Sequence, residues 1–363
     1  MMEYRPDFEE LKPYFQAWWN GDALDRVALW VTAPRKGPVF LESADKWITP
    51  KVVFREAPER ILDYFEDYCR GTFFGGLAVP VFWPNFGPDV FSAFLGTELN
   101  FSEDSNETSW INWSQNPLTD YKNLSCLEIK DSNAIYQKNL ELTRLGIERG
   151  QGKFLVAPTD LHGGFDSLAV LRGGPDKAAL DLVENPAGVK EAMKLLYRVW
   201  QKIYDDCYQI VNGNQDGTAC SWTNLWAPGK SYPVQNDFSC LVSAGMYREF
   251  FLEELLSEIE YLDYSIYHLD GVEALQHLDL LLEIPKLNAI QWVSGAKFAK
   301  EGISRWFPLY QKIQAKKKSI VVYPTVEEIP LVLKNLKPEG LLIQVCCSSE
   351  DEARSVMAQL DWG

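Results

Sequence analysis

The chain has 363 residues, 46% of them apolar and 13 of them tryptophan, enough for a large packed core, so composition excludes a disordered protein. A formal net charge of −16 without a basic stripe argues against binding nucleic-acid backbones or anionic lipid, and no apolar run nears the roughly 20 residues that span a bilayer. The acidic start, Met1 to Glu10, lacks the apolar stretch of a secretion signal, and seven scattered cysteines without a CxxC pair read as reduced thiols, so a cytoplasmic protein is expected.

An amphipathic helical entry is predicted over 6–24, with Phe8, Leu11, Phe15 and Trp18 at helical spacing. Strand Ala28–Pro34 follows, then a helix over Pro58–Cys69, a strand over Leu77–Trp83 and a loop over Pro84–Asp89. Residues 97–132, rich in Ser, Asn and Trp, read as an inserted hairpin or lid. A helix over 134–149 leads to strand Phe154–Pro158, helices near 164–172 and 186–211, strand Thr218–Trp222, a long loop and strand Phe238–Val242. The remainder alternates: helix 246–260, strand 265–269, helix 272–283, strand Ala289–Val293, helix 302–315, strand Ser319–Tyr323, helix 326–335, strand Gly340–Val345 and helix 350–360. Short β-runs between longer helical patterns imply a parallel sheet. About eight such runs favour a closed (β/α)8 TIM barrel, an α/β fold, over an open sheet. No Gly-rich dinucleotide or phosphate-loop fingerprint follows a strand, and a single domain over 1–363 is expected.

In such a barrel, chemistry sits at the strands' C-terminal ends. His268 and Asp270 are two residues apart at the end of one strand and so look in one direction. The other ends offer Asp160, His162 and Asp166; Trp222, Trp226, Tyr232, Gln235 and Asp237; Gln291 and Trp292; Tyr323; Cys346 and Cys347, while loop 84–89 adds Asn85 and Asp89. Two of the three histidines and several carboxylates thus share one rim, where burying charge without purpose is costly. Structural readings stand beside these. Asp270 and Glu273 match a capping box worth about 1 kcal/mol. Asp160 or Asp166 could cap the following helix, and His277 reads as a helix-flank residue. Trp222, Trp226 and Trp292 fit either an aromatic wall or ordinary core packing. Of Cys346 and Cys347, adjacent on a strand, only one can face the mouth.

Four segments carry a resemblance: DRVALWVTAP, APTDLHGGFDSLAVLRGG, NDFSCLVSAGMYREF and YHLDGVEALQHLDLLLEIPKLNAIQWVSG. In order and spacing over most of residues 20–360 they resemble the uroporphyrinogen decarboxylase-like superfamily of porphyrinogen decarboxylases and corrinoid- and thiol-dependent methyltransferases. The resemblance implies a TIM barrel with a deep cleft. From the methyltransferase branch it implies a zinc centre, with His268 as first ligand, Asp270 where a Cys would stand, and Cys347 (or Cys346) as last ligand. The decarboxylase branch implies an arginine-rich motif and a cleft aspartate. This chain has Ala33-Pro-Arg35, Asn85 and Asp89 in those neighbourhoods, and Cys346-Cys347 in place of a late histidine. The expected function is therefore methyl transfer from a small methylated substrate, with a corrinoid on a partner protein. His268 and Asp270 would be catalytic, Asp160 and His162 would sit behind the centre or move protons, and Trp222, Trp226, Gln235, Asp237, Gln291, Trp292 and Asn85 would shape the substrate pocket. The alternatives are a metal-independent decarboxylase or lyase and a non-catalytic small-molecule-binding barrel.

Overall fold

Buried β-branched runs pair into a seven-stranded sheet in the computed structural model, which describes residues 1–35, 48–101, 108–298 and 300–362. The strands are β1 (Ala28–Pro34), β2 (Thr72–Gly76), β3 (Val81–Phe82), β4 (Leu99–Phe101), β5 (Ser109–Ile111), β6 (Leu155–Val156), β7 (Thr218–Ala219), β8 (Trp226–Ala227), β9 (Ser231–Gln235), β10 (Tyr264–Asp270), β11 (Ala289–Val293), β12 (Ser319–Val322) and β13 (Leu341–Cys346). The large sheet runs β2-β1-β13-β12-β11-β10-β9, parallel throughout except for antiparallel β2. Helices connect the parallel strands, as such sheets require. Strands β3 and β6 form a parallel pair, β7 and β8 an antiparallel one, and β6 lies against β7 and β7 against β9.

Strand alternation sorts the core into two layers. Trp30, Ile266, Ala289, Val321 and Leu342 face a cluster closed by Phe8, Leu11, Phe15, Trp18 and Trp19 of helix Phe8–Trp19. Leu29, Val31, Leu269, Ile290, Trp292, Ile320 and Ile343 face the opposite layer, packed under the connecting helices. Both faces are apolar, so the sheet is buried on both sides. Among the described residues no helix is long and apolar enough to cross a membrane.

Several elements differ from expectation. The segment expected as strand Phe238–Val242 is a 3-10 helix, Asp237–Leu241, because the Asp166 carboxylate accepts the backbone N–H of both Asp237 (2.9 Å) and Phe238 (2.7 Å). The long loop after Trp222 contains β9, and the run Leu77–Trp83 contributes only Val81–Phe82, with Pro80 lacking a donor. Expected helix 272–283 is split into a 3-10 turn, Val272–His277, and helix Leu278–Leu282. Its cap position is held by Gly271 at φ +80°, without a side-chain cap, so Asp270 does not close a capping box. The expected insertion contains the antiparallel pair β4–β5; its residues 102–107 lie outside the described residues.

Candidate functional site

In the parallel register His268 stands opposite Gln235 of β9 and Gln291 of β11. It shares the parity of Ile266, so its ring lies on the face closed at the far end by the N-terminal helix. The Gln291 amide oxygen is 2.8 Å from His268 Nδ1 and accepts the Trp222 indole N–H at 3.4 Å, while the amide nitrogen donates to the Tyr323 hydroxyl at 2.5 Å. An indole N–H can only donate, which puts the amide oxygen on the side of Trp222 and His268. His268 therefore donates from Nδ1, which leaves Nε2 as the nitrogen open to another partner. The Trp222 ring meets the imidazole edge-on at 6.0 Å.

One ligand atom each of Asp237, His268 and Asp270 lie within 4.8 Å of one another. Asp270 continues the strand two residues past His268, and Asp237 is brought in by the 3-10 turn that Asp166 holds. Burial raises the Asp237 carboxyl; His162 lowers it, Asp166 raises it, His268 lowers it and Asp270 raises it. Two crowded carboxylates beside an imidazole whose free nitrogen is Nε2 make an O,O,N donor set that zinc accepts, and a divalent cation would relieve their repulsion. The residues present thus fit a metal ion.

Behind this cluster lies His162, whose Nε2 is 2.8 Å from Asp166 and 3.7 Å from Asp237. Burial alone would lower His162, but Asp166, Asp237 and Asp160 outweigh it and raise the ring to about 10, so it is a cation at neutral pH. Asp160 is pushed up to about 7, chiefly by burial, against the pull of His162, and its Oδ1 has no partner among the described residues. Asp89 is raised by burial, and Glu254 and Glu258 are raised by burial and by their proximity to Asp166. Burial thus favours the neutral form of the Asp160, Glu254 and Glu258 carboxyls.

A cavity of about 570 Å³ opens at the C-terminal ends of β1, β3 and β13. Thr32, Trp83, Asn85, Asn224, Cys346 and Cys347 form part of its wall. Loop 221–225 serves both places: Asn224 lines the cavity and donates to the Trp222 carbonyl at 3.5 Å, while Trp222 meets His268.

Of the expected residues, His268, Asp270, Asp237, Gln291 and Trp222 come together, with Gln235 in register beside them, His162 in contact and Asp160 buried behind. Asn85 belongs to the cavity wall. The expected wall of three tryptophans does not form. Trp226 packs on Phe8 and Phe15 at the opposite end of the sheet, and Trp292, one residue out of phase with Gln291, turns to Trp306 in the helical layer at 5.1 Å. Cys347 is not in the His268 cluster. It is out of phase with Leu342 and packs into the helical layer, and burial pushes its thiol up to about 11. Its neighbour Cys346 is exposed and 3.5 Å from the Thr32 hydroxyl. His277 is a buried structural residue, bonded to the Ser239 carbonyl at 2.9 Å and stacked on Tyr247.

Sequence reasoning assigned no site role to Asn224, Trp30 or Trp83. Trp83 ended a recognisable apolar run, whereas Asn224 sits in a loop with no periodic signal. Tyr323 and Asp166 stood at strand ends, but their partners, Gln291 and the turn at Asp237, are distant in sequence. No protein-family model matches the chain, and no curated protein matches it.

Proposed function

We propose that this chain is a metal-dependent enzyme of the uroporphyrinogen decarboxylase-like kind that transfers a methyl group from a small methylated substrate to a corrinoid carried by a partner protein in the cytoplasm. In this reading residues 1–363 form one (β/α)8 TIM barrel, with helix Phe8–Trp19 as an N-terminal extension and 97–132 as an insertion. The contacts of β6 with β7 and of β7 with β9, beside the β3–β6 pair, support ring closure. The observation that carries the functional reading is the convergence of Asp237, His268 and Asp270 within 4.8 Å at one strand end.

These three residues, in place of a set containing Cys347, would hold zinc, and the ion would supply Lewis-acid activation of a substrate heteroatom or thiol. Gln291 engages Nδ1 of the imidazole and leaves Nε2 for the ion. Trp222 covers one edge of the ring, and protonated His162 offsets the carboxylate charge behind the centre. Protein purified without chelator should carry about one equivalent of zinc, and His268→Ala should lose it while remaining folded. Zinc below roughly a tenth of an equivalent in the parent chain would overturn the reading.

The buried Asp160, raised to about 7 and lacking a partner for Oδ1, favours a second reading, a metal-independent decarboxylase or lyase that uses it as a proton donor. Turnover without zinc that is abolished in Asp160→Asn would select that chemistry.

A further inference from the structure

The wall of the 570 Å³ cavity has a definite chemical character. Trp30, Tyr64, Phe65, Tyr68, Phe82 and Trp83 supply aromatic surface on several sides. Among the described residues the wall contains no Lys, Arg or His, and its one carboxylate, Asp67, is already paired with Arg70. Arg35, next in the chain after Pro34 of the wall, is exposed and not part of it. A substrate with several carboxylates needs guanidinium or ammonium partners, which the described residues of this wall do not supply. A quaternary or fully methylated ammonium group needs none. It cannot donate a hydrogen bond, and each aromatic face attracts it by about 0.5–2 kcal/mol when desolvated. The net charge of −16 raises the local concentration of cations.

We propose that this cavity binds a small methylated ammonium compound, with the rings of Trp83 and Tyr68 caging the cation. This names the substrate class of the methyl-transfer reading and rests on it. The cation would sit beside loop 221–225, which joins the cavity to His268 through Asn224 and Trp222.

The test is titration calorimetry of the full chain, with and without chelator, using choline and its uncharged tert-butyl counterpart, in which carbon replaces nitrogen. Choline should bind about tenfold more tightly than the neutral probe, the difference one cation–π contact supplies. Trp83→Ala should weaken choline by about tenfold or more and Trp83→Phe by less, with far-ultraviolet circular dichroism unchanged. Equal affinity for the two probes, no binding of choline, or preferential binding of a polycarboxylate would overturn the proposal, and the probe comparison decides even if Trp83→Ala fails to fold. The two readings fail separately. His268→Ala should lose zinc yet keep choline, so absent choline binding with zinc retained sinks the cage, and absent zinc with choline binding retained sinks the metal centre.

Discussion

Gln291 decides which nitrogen of His268 is available, because its amide oxygen is pinned by the Trp222 donor and can only accept from Nδ1. Replacing it with leucine removes that acceptor and frees the ring to rotate or change tautomer. Gln291→Leu should lower zinc affinity by roughly ten- to hundredfold, while Gln291→Glu, which still accepts from Nδ1, should largely retain it. Equal losses in both variants, read by competition with a chromogenic chelator, would mean that the amide only fills space. His268, Asp270 and Gln291 were legible in the sequence because a strand repeats every two residues and each stands near a strand end. Cys347 was misassigned for the same reason. Adjacent residues face opposite ways, and only the observed register shows that 346, in phase with Leu342, is exposed while 347, at the edge of the cavity, packs into the helical layer.

At the level of elements, β2 depends on a residue far away in sequence. Its turn places Gly76 at φ +58°, where a Cβ would lie 2.2 Å from the Leu29 carbonyl oxygen, so only glycine fits. The buried guanidinium of Arg5 donates to the carbonyls of Phe74 (3.0 Å), Gly76 (2.9 Å) and Ala78 (2.8 Å), and Asp7 balances its charge at 2.7 Å. Arg5→Met should cost at least about 3 kcal/mol in urea unfolding, since it leaves three buried acceptors without a donor. A loss below about 1 kcal/mol would show that water replaces the guanidinium. Alternation of strand and helix was readable from apolar periodicity, which needs only local sequence. The antiparallel β2 and the 3-10 turn at Asp237 were not. Each is held by a long-range partner, Arg5 and Asp166 respectively.

For the molecule as a whole, the buried acids make stability depend on pH. Burial chiefly raises Glu258, from 4.5 unfolded to about 8, and Asp160, from 3.8 to about 7. The folded state therefore binds more protons than the unfolded state over that interval, and stability falls as pH rises through it. His162 acts in the same direction at higher pH. Its folded value of about 10 lies above the ordinary 6.5, so its contribution is complete below about 6.5 and disappears as pH rises through about 10. Metal-free protein should thus show a urea midpoint that declines from pH 5 to pH 8, and Glu258→Gln should flatten the decline. A midpoint that rises over this range would show that these carboxyls are ionised in the fold.

The sequence alone determined what local chemistry can determine: apolar periods that select strands and helices, an acidic charge unsuited to polyanions, and the pairing of His268 with Asp270 on one strand face. Tertiary structure decided everything that depends on distant segments meeting. It exchanged Cys347 for Asp237 in the cluster, drew Trp226 and Trp292 into the core, and assembled an aromatic cavity from β1, β3, β13 and helix Pro58–Gly71. The physical reason is that strand phase and helical period follow from neighbouring residues, whereas a side chain's environment follows from register and packing between elements far apart in the chain.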